Sequence, residues 1–371
     1  MAAKTISFEL ARSHIFIRVN VNGTGTYLFL LDTGAGGTII ASDILSRIGI
    51  RQAEEAALVG VGEGPSGALL LHNIQFSVGE LTFSPESVFA TSLDVIRSGE
   101  GRKVDGVIGY DFFKDHVVEI DYEQRTLRVL DHAPPGSDQN RFALTFIDRL
   151  PIIGAIVTDD GRSSVKCQLE VDTGATRPLL LSSSFMASHP TFLVSRSTIR
   201  VPLIGAGAEA TQRITRMGRL TLGRYAFDNL VTGISESRSG LAARQGIDGM
   251  IGGELLERLR LVINYSEGWI SFHPSRSMTR PFEYDMSGLI LFAKGSHLDE
   301  YVVRYVVPNS PATEANVRVD DVILSVDGKL ATDLSLSQIG AMFSKPGRTY
   351  RLAIKRSGKR LKINLKTRRL V

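Results

Sequence analysis

Asp32 and Asp172 each close an apolar run and open a Thr-Gly-Ala turn, in "FLLDTGA" (29–35) and "LEVDTGA" (169–175). A single Asp-Thr-Gly is an ordinary turn sequence. Two of them in matching context suggest a pseudo-twofold arrangement that brings the carboxyls together. Two carboxyls at close range cannot both ionise cheaply, so they share a proton near working pH and titrate as a pair. The ionised member can take a proton from a water held between them. The protonated member can donate to the oxygen of the carbonyl under attack. That is general acid–base hydrolysis without a covalent intermediate. Asp32 and Asp172 are the candidate catalytic pair. Thr33, Gly34, Ala35, Thr173, Gly174 and Ala175 would orient them, the glycines by admitting backbone N–H groups and the threonines by bonding across the junction.

The segments around the triplets repeat as well. "FIRVNVNGTGTYLFLLDTG" and "IIGAIVTDDGRSSVKCQLEVDTG" both read as strand, tight turn, strand, acidic turn. Asn22-Gly23 and Asp160-Gly161 supply the hairpin turns, since such pairs accept positive φ. Alternating Tyr27, Phe29, Leu31 and Cys167, Leu169, Val171 mark the inward faces of the strands that lead into each Asp. "VDGVIG" (104–109) returns as "IDGMIG" (247–252), and each copy has a Gly-x-Gly between its triplet and this block. These flap-like segments hold Val59, Gly60, Val61 and Gly62 in one copy, and Ile204, Gly205, Ala206 and Gly207 in the other. Two homologous halves are expected, 5–131 and 142–275, joined by the linker "HAPPGSDQNR".

With its paired "DTGA" triplets, flap-like glycines and "GVIG"/"GMIG" blocks, the stretch 5–275 resembles the retropepsin-like aspartic proteases. The resemblance implies a bilobal pair of β-barrels, peptide-bond hydrolysis of extended polypeptides, and flaps that close over substrate. Retropepsins are usually homodimers with one Asp per chain, whereas both halves here lie in one chain. No hydroxyl residue follows either triplet, which predicts a less acidic optimum than pepsin-type enzymes have. Thr176-Arg177-Pro178 stand where the first copy has Gly36-Gly37-Thr38, so the halves have diverged. Residues 284–371 resemble a PDZ domain through "SGLILF" and "VVPNSPATEANVRVDDVILSVDGK". That resemblance implies an α+β fold in which Gly288, Leu289 and Ile290 would receive an extended peptide, often by its C-terminal carboxylate. The two resemblances together imply a bacterial and exported setting. The whole chain is expected to be mostly β, a protease unit followed by a PDZ domain. The alternative is an inactive, protease-like scaffold that only binds peptides.

Composition narrows the classes. The chain has 371 residues, 43% hydrophobic and 22% charged, with one cysteine, Cys167, and scattered histidines. No metal site and no cofactor beyond water are expected. No apolar run approaches a membrane span, and the first residues lack a continuous apolar h-region. "GVGEGPSG" has dinucleotide-like glycine spacing, but no helix-forming run follows it, which argues against nucleotide binding. Residues 351–371 carry nine Lys or Arg and no acid. No aromatic residue interleaves them, which argues for a solvated basic hairpin rather than a nucleic-acid surface.

Overall fold

A computed structural model describes residues 4–60, 65–159, 163–193, 196–203, 205, 210–240 and 243–371. The chain is mostly β, with two protease-type lobes and a C-terminal PDZ domain.

Each lobe is built round a short strand that pairs in parallel with the strand leading into its Asp. In the first, strand Thr26–Leu31 pairs antiparallel with His14–Val21 and parallel with Gly106–Ile108, which pairs antiparallel with Ile39–Ala41. In the second, Ser163–Asp172 pairs antiparallel with Leu150–Asp159 and parallel with Gly249–Gly252, which pairs antiparallel with Leu179–Leu181. A strand enclosed on both faces has no polar side to present. The buried, wholly apolar or glycine "GVI" and "GMIG" strands fit that setting. The expected inward faces are buried, from Tyr27, Phe29 and Leu31 to Cys167, Leu169 and Val171. Asn22 and Gly23 take φ of 51° and 69°, the mirror-image turn that matches strand twist. The Asp160-Gly161 turn lies outside the described residues.

A six-stranded sheet joins the lobes. Its order runs Lys4–Ser7, Thr126–Leu130, Val117–Asp121, Leu259–Asn264, Trp269–Pro274, Arg141–Ala143. The seam is the antiparallel pair with Val118 opposite Ile263. One continuous apolar core runs through both lobes and this sheet. The linker expected over residues 132–141 is more ordered than its composition suggests. Ser137–Asn140 forms a 3-10 turn, and Arg141 already pairs with Ser271.

The PDZ domain has its own core, including Val303, Ile339, Tyr350 and Leu352. Helix Leu336–Phe343 begins with a capping box of Ser335 and Gln338, which satisfies N–H groups that a helix start leaves free. The basic hairpin turns at Ser357-Gly358, with Leu352 and Ile354 buried and Arg351 and Lys355 exposed.

Candidate active site

The two acidic turns meet at the junction of the lobes. Asp32 closes strand Thr26–Leu31 and donates its N–H to Ile108 O at 2.9 Å, so the parallel neighbour fixes the turn. Asp172 ends strand Ser163–Asp172 in the same way beside Gly252. The carboxyls face each other within interacting distance. Gly34 N–H donates to Asp32 Oδ1 at 2.8 Å. Asp172 Oδ1 accepts two such bonds, from Gly174 at 2.8 Å and Ala175 at 3.0 Å. Each carboxyl also lies against the glycine of the opposite loop. A Cβ on Gly174 would come 2.3 Å from Asp32 Cγ, and one on Gly34 would come 2.5 Å from Asp172 Cγ. Glycine is needed there for space.

Thr33 and Thr173 lock the loops reciprocally. The N–H of each donates to the hydroxyl of the other at 3.0 Å. The hydroxyl of Thr33 donates to Val171 O at 2.6 Å, and that of Thr173 to Leu31 O at 2.9 Å. All four bonds cross between lobes, and both threonines are buried. Each hydroxyl accepts one bond and donates another, so both loops are tied from each side.

Burial raises Asp32 well above the usual carboxylate range, and the negative charge of Asp172 adds to it. Burial also raises Asp172, against the opposing pull of its hydrogen bonds and of His14. Asp172 has the richer set of N–H donors, so a proton shared by the pair resides preferentially on Asp32.

A third carboxyl stands beside the pair. Glu170 precedes Asp172 by two residues, so it points to the same side of the strand. It is buried, and its Oε2 has no hydrogen-bond partner. Its Oε1 would lie 2.8 Å from a Cβ on Gly34. Burial and the charges of Asp172 and Asp32 hold its carboxyl well above its ordinary value. The matching position in the first lobe is Leu30. Sequence reading passed over Glu170 because it looks like the solvent-facing member of an alternating strand. The available signal was the mismatch between Leu30 and Glu170 at equivalent positions.

The carboxyls open into a cavity of about 850 Å³. Two hairpins border it. Glu54–Val59 pairs with Pro65–Leu71, and Ile199–Leu203 pairs with Ala210–Leu222. Val59, Gly60 and Gly205 line the cavity. Val61, Gly62, Ile204, Ala206 and Gly207 lie outside the described residues. Leu289 and Ile290 line the far end of the same cavity, and Gly288, with φ of 79°, turns the chain into them.

The divergence after the triplets has a physical outcome. Thr38 N–H donates to buried Asp111 Oδ2 at 2.8 Å. Pro178, in the equivalent place, has no N–H to give. The matching acid, Glu254, is instead pushed up to about 7 by burial. Arg177 lies over the ring of Tyr284, 4.8 Å from its centroid. The base that acts on Asp172 is His14, hydrogen-bonded to Thr176 Oγ1 at 3.2 Å and in ion-pair contact with Glu100 at 3.1 Å. Among the described residues, no cluster suits a metal ion.

Residues 17–112 match the family model described as aspartyl protease, and residues 272–367 match the PDZ domain. "DNA damage-inducible protein 1" of Cryptococcus neoformans is 32% identical over 118 residues, 31% of this chain and 25% of that protein. "UBA domain-containing protein Mud1" of Schizosaccharomyces pombe is 29% identical over 118 residues, 31% of this chain and 32% of that protein. The match thus spans about a quarter to a third of these curated relatives. Both relatives are fungal. Among solved structures, the aspartic proteinase from Irpex lacteus aligns with a TM-score of 0.48 at 16% identity, covering 75% of this chain and 99% of that one.

Proposed function

From a chain that carries an aspartyl protease domain and a C-terminal PDZ domain, we propose an aspartic endopeptidase that cleaves extended polypeptides. The observation that carries this reading is the facing pair Asp32 and Asp172, held by reciprocally locked loops, in one cavity bordered by two hairpins. Asp172, the carboxylate with more N–H donors, takes a proton from water as the water oxygen bonds to the scissile carbonyl carbon. Asp32 gives its proton to the carbonyl oxygen. The resulting gem-diol collapses as Asp172 passes the proton it took from water to the leaving nitrogen, a gem-diol hydroxyl returns its proton to Asp32, and the C–N bond breaks. The lobes act as two copies of one unit in one chain, so a single polypeptide completes the site. The two hairpins that border the cavity close over substrate and exclude water. The PDZ groove helps to choose substrate.

The test is a mixed peptide library cut by the wild type but by neither Asp32→Asn nor Asp172→Asn. Cleavage retained by either variant rejects the shared site. A wild type that cuts nothing while binding peptides supports the inactive scaffold instead.

Glu170 gives the two subsites different chemistry. Leu30, Ile39 and Val107 line the first-lobe side, while Glu170, Leu180 and Met250 line the second. A buried carboxyl with one unpartnered oxygen favours a substrate side chain that donates hydrogen bonds, above all Lys or Arg. Wild type is expected to prefer Lys over Leu at the position that faces the second lobe. Glu170→Leu should shift that preference towards Leu by on the order of 100-fold in kcat/KM on matched peptides. An unchanged ratio would remove Glu170 from the subsite.

A further inference from the structure

Each lobe opens on a tight turn that reaches into the other. Arg12 and Ser13 take φ of 51° and 67° before strand His14–Val21, and Asp148 and Arg149 take φ of 49° and 69° before strand Leu150–Asp159. Ser13 O lies against Gly253 of the second lobe, and Asp148 O would lie 3.1 Å from a Cβ on Gly36 of the first. His14 and Leu150 therefore hold equivalent places. Their opposite partners, Thr176 and Gly36, each stand four residues beyond a catalytic Asp. On one side of the site His14 Nε2 bonds Thr176 Oγ1 at 3.2 Å. On the other side Leu150 and Gly36 have no side-chain group to exchange a hydrogen bond. A base is thus built beside Asp172 and not beside Asp32.

His14 is buried, and its Nδ1 lies 3.1 Å from Oε1 of Glu100, which is nearly as enclosed. A carboxylate taken out of water needs a compensating cation, and an imidazolium offers donors from both ring nitrogens. Burial would raise Glu100, yet the charge of His14 outweighs it and holds that carboxyl below its ordinary value. The other charges here are Arg12, with Nε 3.8 Å from the same oxygen, and Arg102, which lies over the Phe16 ring at 4.5 Å. From the second lobe, Asp172 faces His14, while Arg177 is turned onto Tyr284. Glu100 is itself held from outside. Its helix, Asp94–Glu100, packs along strand Leu289–Lys294 of the PDZ domain, and Gly101 abuts Leu336. Against burial, which raises Asp172, the charge of His14 pulls it down. We infer that His14 is a positioning residue of the pair: held by Glu100 and Thr176, its imidazolium sets Asp172, and not Asp32, as the carboxylate that activates water. The reaction it serves rests on the peptidase reading.

The experiment uses the full chain and follows kcat/KM for one cleaved peptide from about pH 3 to about pH 8. His14→Gln keeps a donor for Thr176 and removes the charge. Its acidic limb is expected to move up by about one pH unit, which lowers the rate about tenfold on that limb and leaves the plateau above it nearly unchanged. His14→Lys restores a cation and should return the limb to within about 0.3 unit of the wild type. Thr176→Ala frees the ring and should move the limb the same way by about half as much. The carboxyl carbon resonances of protein labelled with ¹³C-aspartate follow the same proton without turnover and should shift by the same amounts. The inference is overturned if the limb of His14→Gln stays in place, if its rate falls equally at every pH, or if His14→Lys moves as far as His14→Gln. If neither His14 variant folds, an unmoved limb in Thr176→Ala overturns it. A wild type that cuts no peptide refutes the peptidase reading, and the aspartate resonances then still decide whether His14 sets Asp172.

Discussion

Asp32→Asn is expected to lose cleavage by about 10⁴-fold or more and, at pH 7, to melt at a higher temperature than the wild type. The loss of rate follows from removing the proton donor of a pair that works only as a unit. The gain in stability follows from the cost of holding that carboxyl. Its folded value lies well above the ordinary one, through burial and the charge of Asp172. A carboxyl raised in this way binds protons more tightly folded than unfolded. Its contribution to stability is therefore complete below about pH 4, and it is lost as pH rises towards the folded value. Glu170 and Asp172 are raised for related reasons, so the site as a whole weakens the fold as pH rises. The substituted amide keeps an acceptor for Gly34 N–H and gains a donor towards Asp172, without the charge. The melting temperature should rise by a few degrees at pH 7, with the difference shrinking towards pH 4. Thermal melts of both proteins across that range check it. A variant that is less stable at pH 7, or a difference that does not depend on pH, defeats the argument. The same raised carboxyls agree with an optimum for cleavage that is less acidic than in pepsin-type enzymes. A peak below about pH 3.5 would contradict that expectation.

The site was legible in sequence where chemistry depends on short-range spacing. Asp32 and Asp172 stand at strand ends whose alternation is explicit, and a hairpin turn such as Asn22-Gly23 needs only two residues to specify. The contacts that close the fold were less legible because their partners lie far apart in the chain. Strand Val117–Asp121 pairs with Leu259–Asn264 across the lobe boundary, and nothing local marks either as a shared seam. Their buried apolar positions would fit any sheet. Glu170 and Asp285 failed for another reason. An acidic residue in an alternating strand or a turn reads as solvated, and only the fold shows that one faces a cavity and the other fills a ring of amides. The flap-like glycines follow two hairpin ladders whose last rungs are Val59 opposite Pro65 and Leu203 opposite Ala210. In each case a periodic pattern specified which face of an element points inward, but not what that face meets.

Arg258 is the sharpest example, and it leads to the largest expected effect on stability. In "GELLERLRLV" it reads as one more exposed charge on a short helix. It is instead fully buried. Its guanidinium donates to Glu254 O at 3.0 Å, to Ser277 O at 3.4 Å, to Pro281 O at 3.3 Å and to Arg280 O. It also lies over the ring of buried Phe282, 3.6 Å from the centroid. Burial lowers its value to about 10, so it stays charged at neutral pH. These bonds pin the segment that leads from the second lobe into the PDZ domain, and only a planar fork with five donors can reach so many carbonyls at once. Arg258→Ala leaves those carbonyls unpaired and opens a cavity beside Phe282, a loss of about 3–5 kcal/mol. Residues 275–287 should then become accessible to a probing protease, and the PDZ domain should part from the lobes before the lobes unfold. Arg258→Lys is expected to recover little, since one ammonium cannot span the same carbonyls. Limited proteolysis and thermal melting read both effects. A variant that melts within a degree of the wild type, with the segment still protected, would show that the PDZ domain is held in place by its own packing against helix Asp94–Glu100 and not by this side chain.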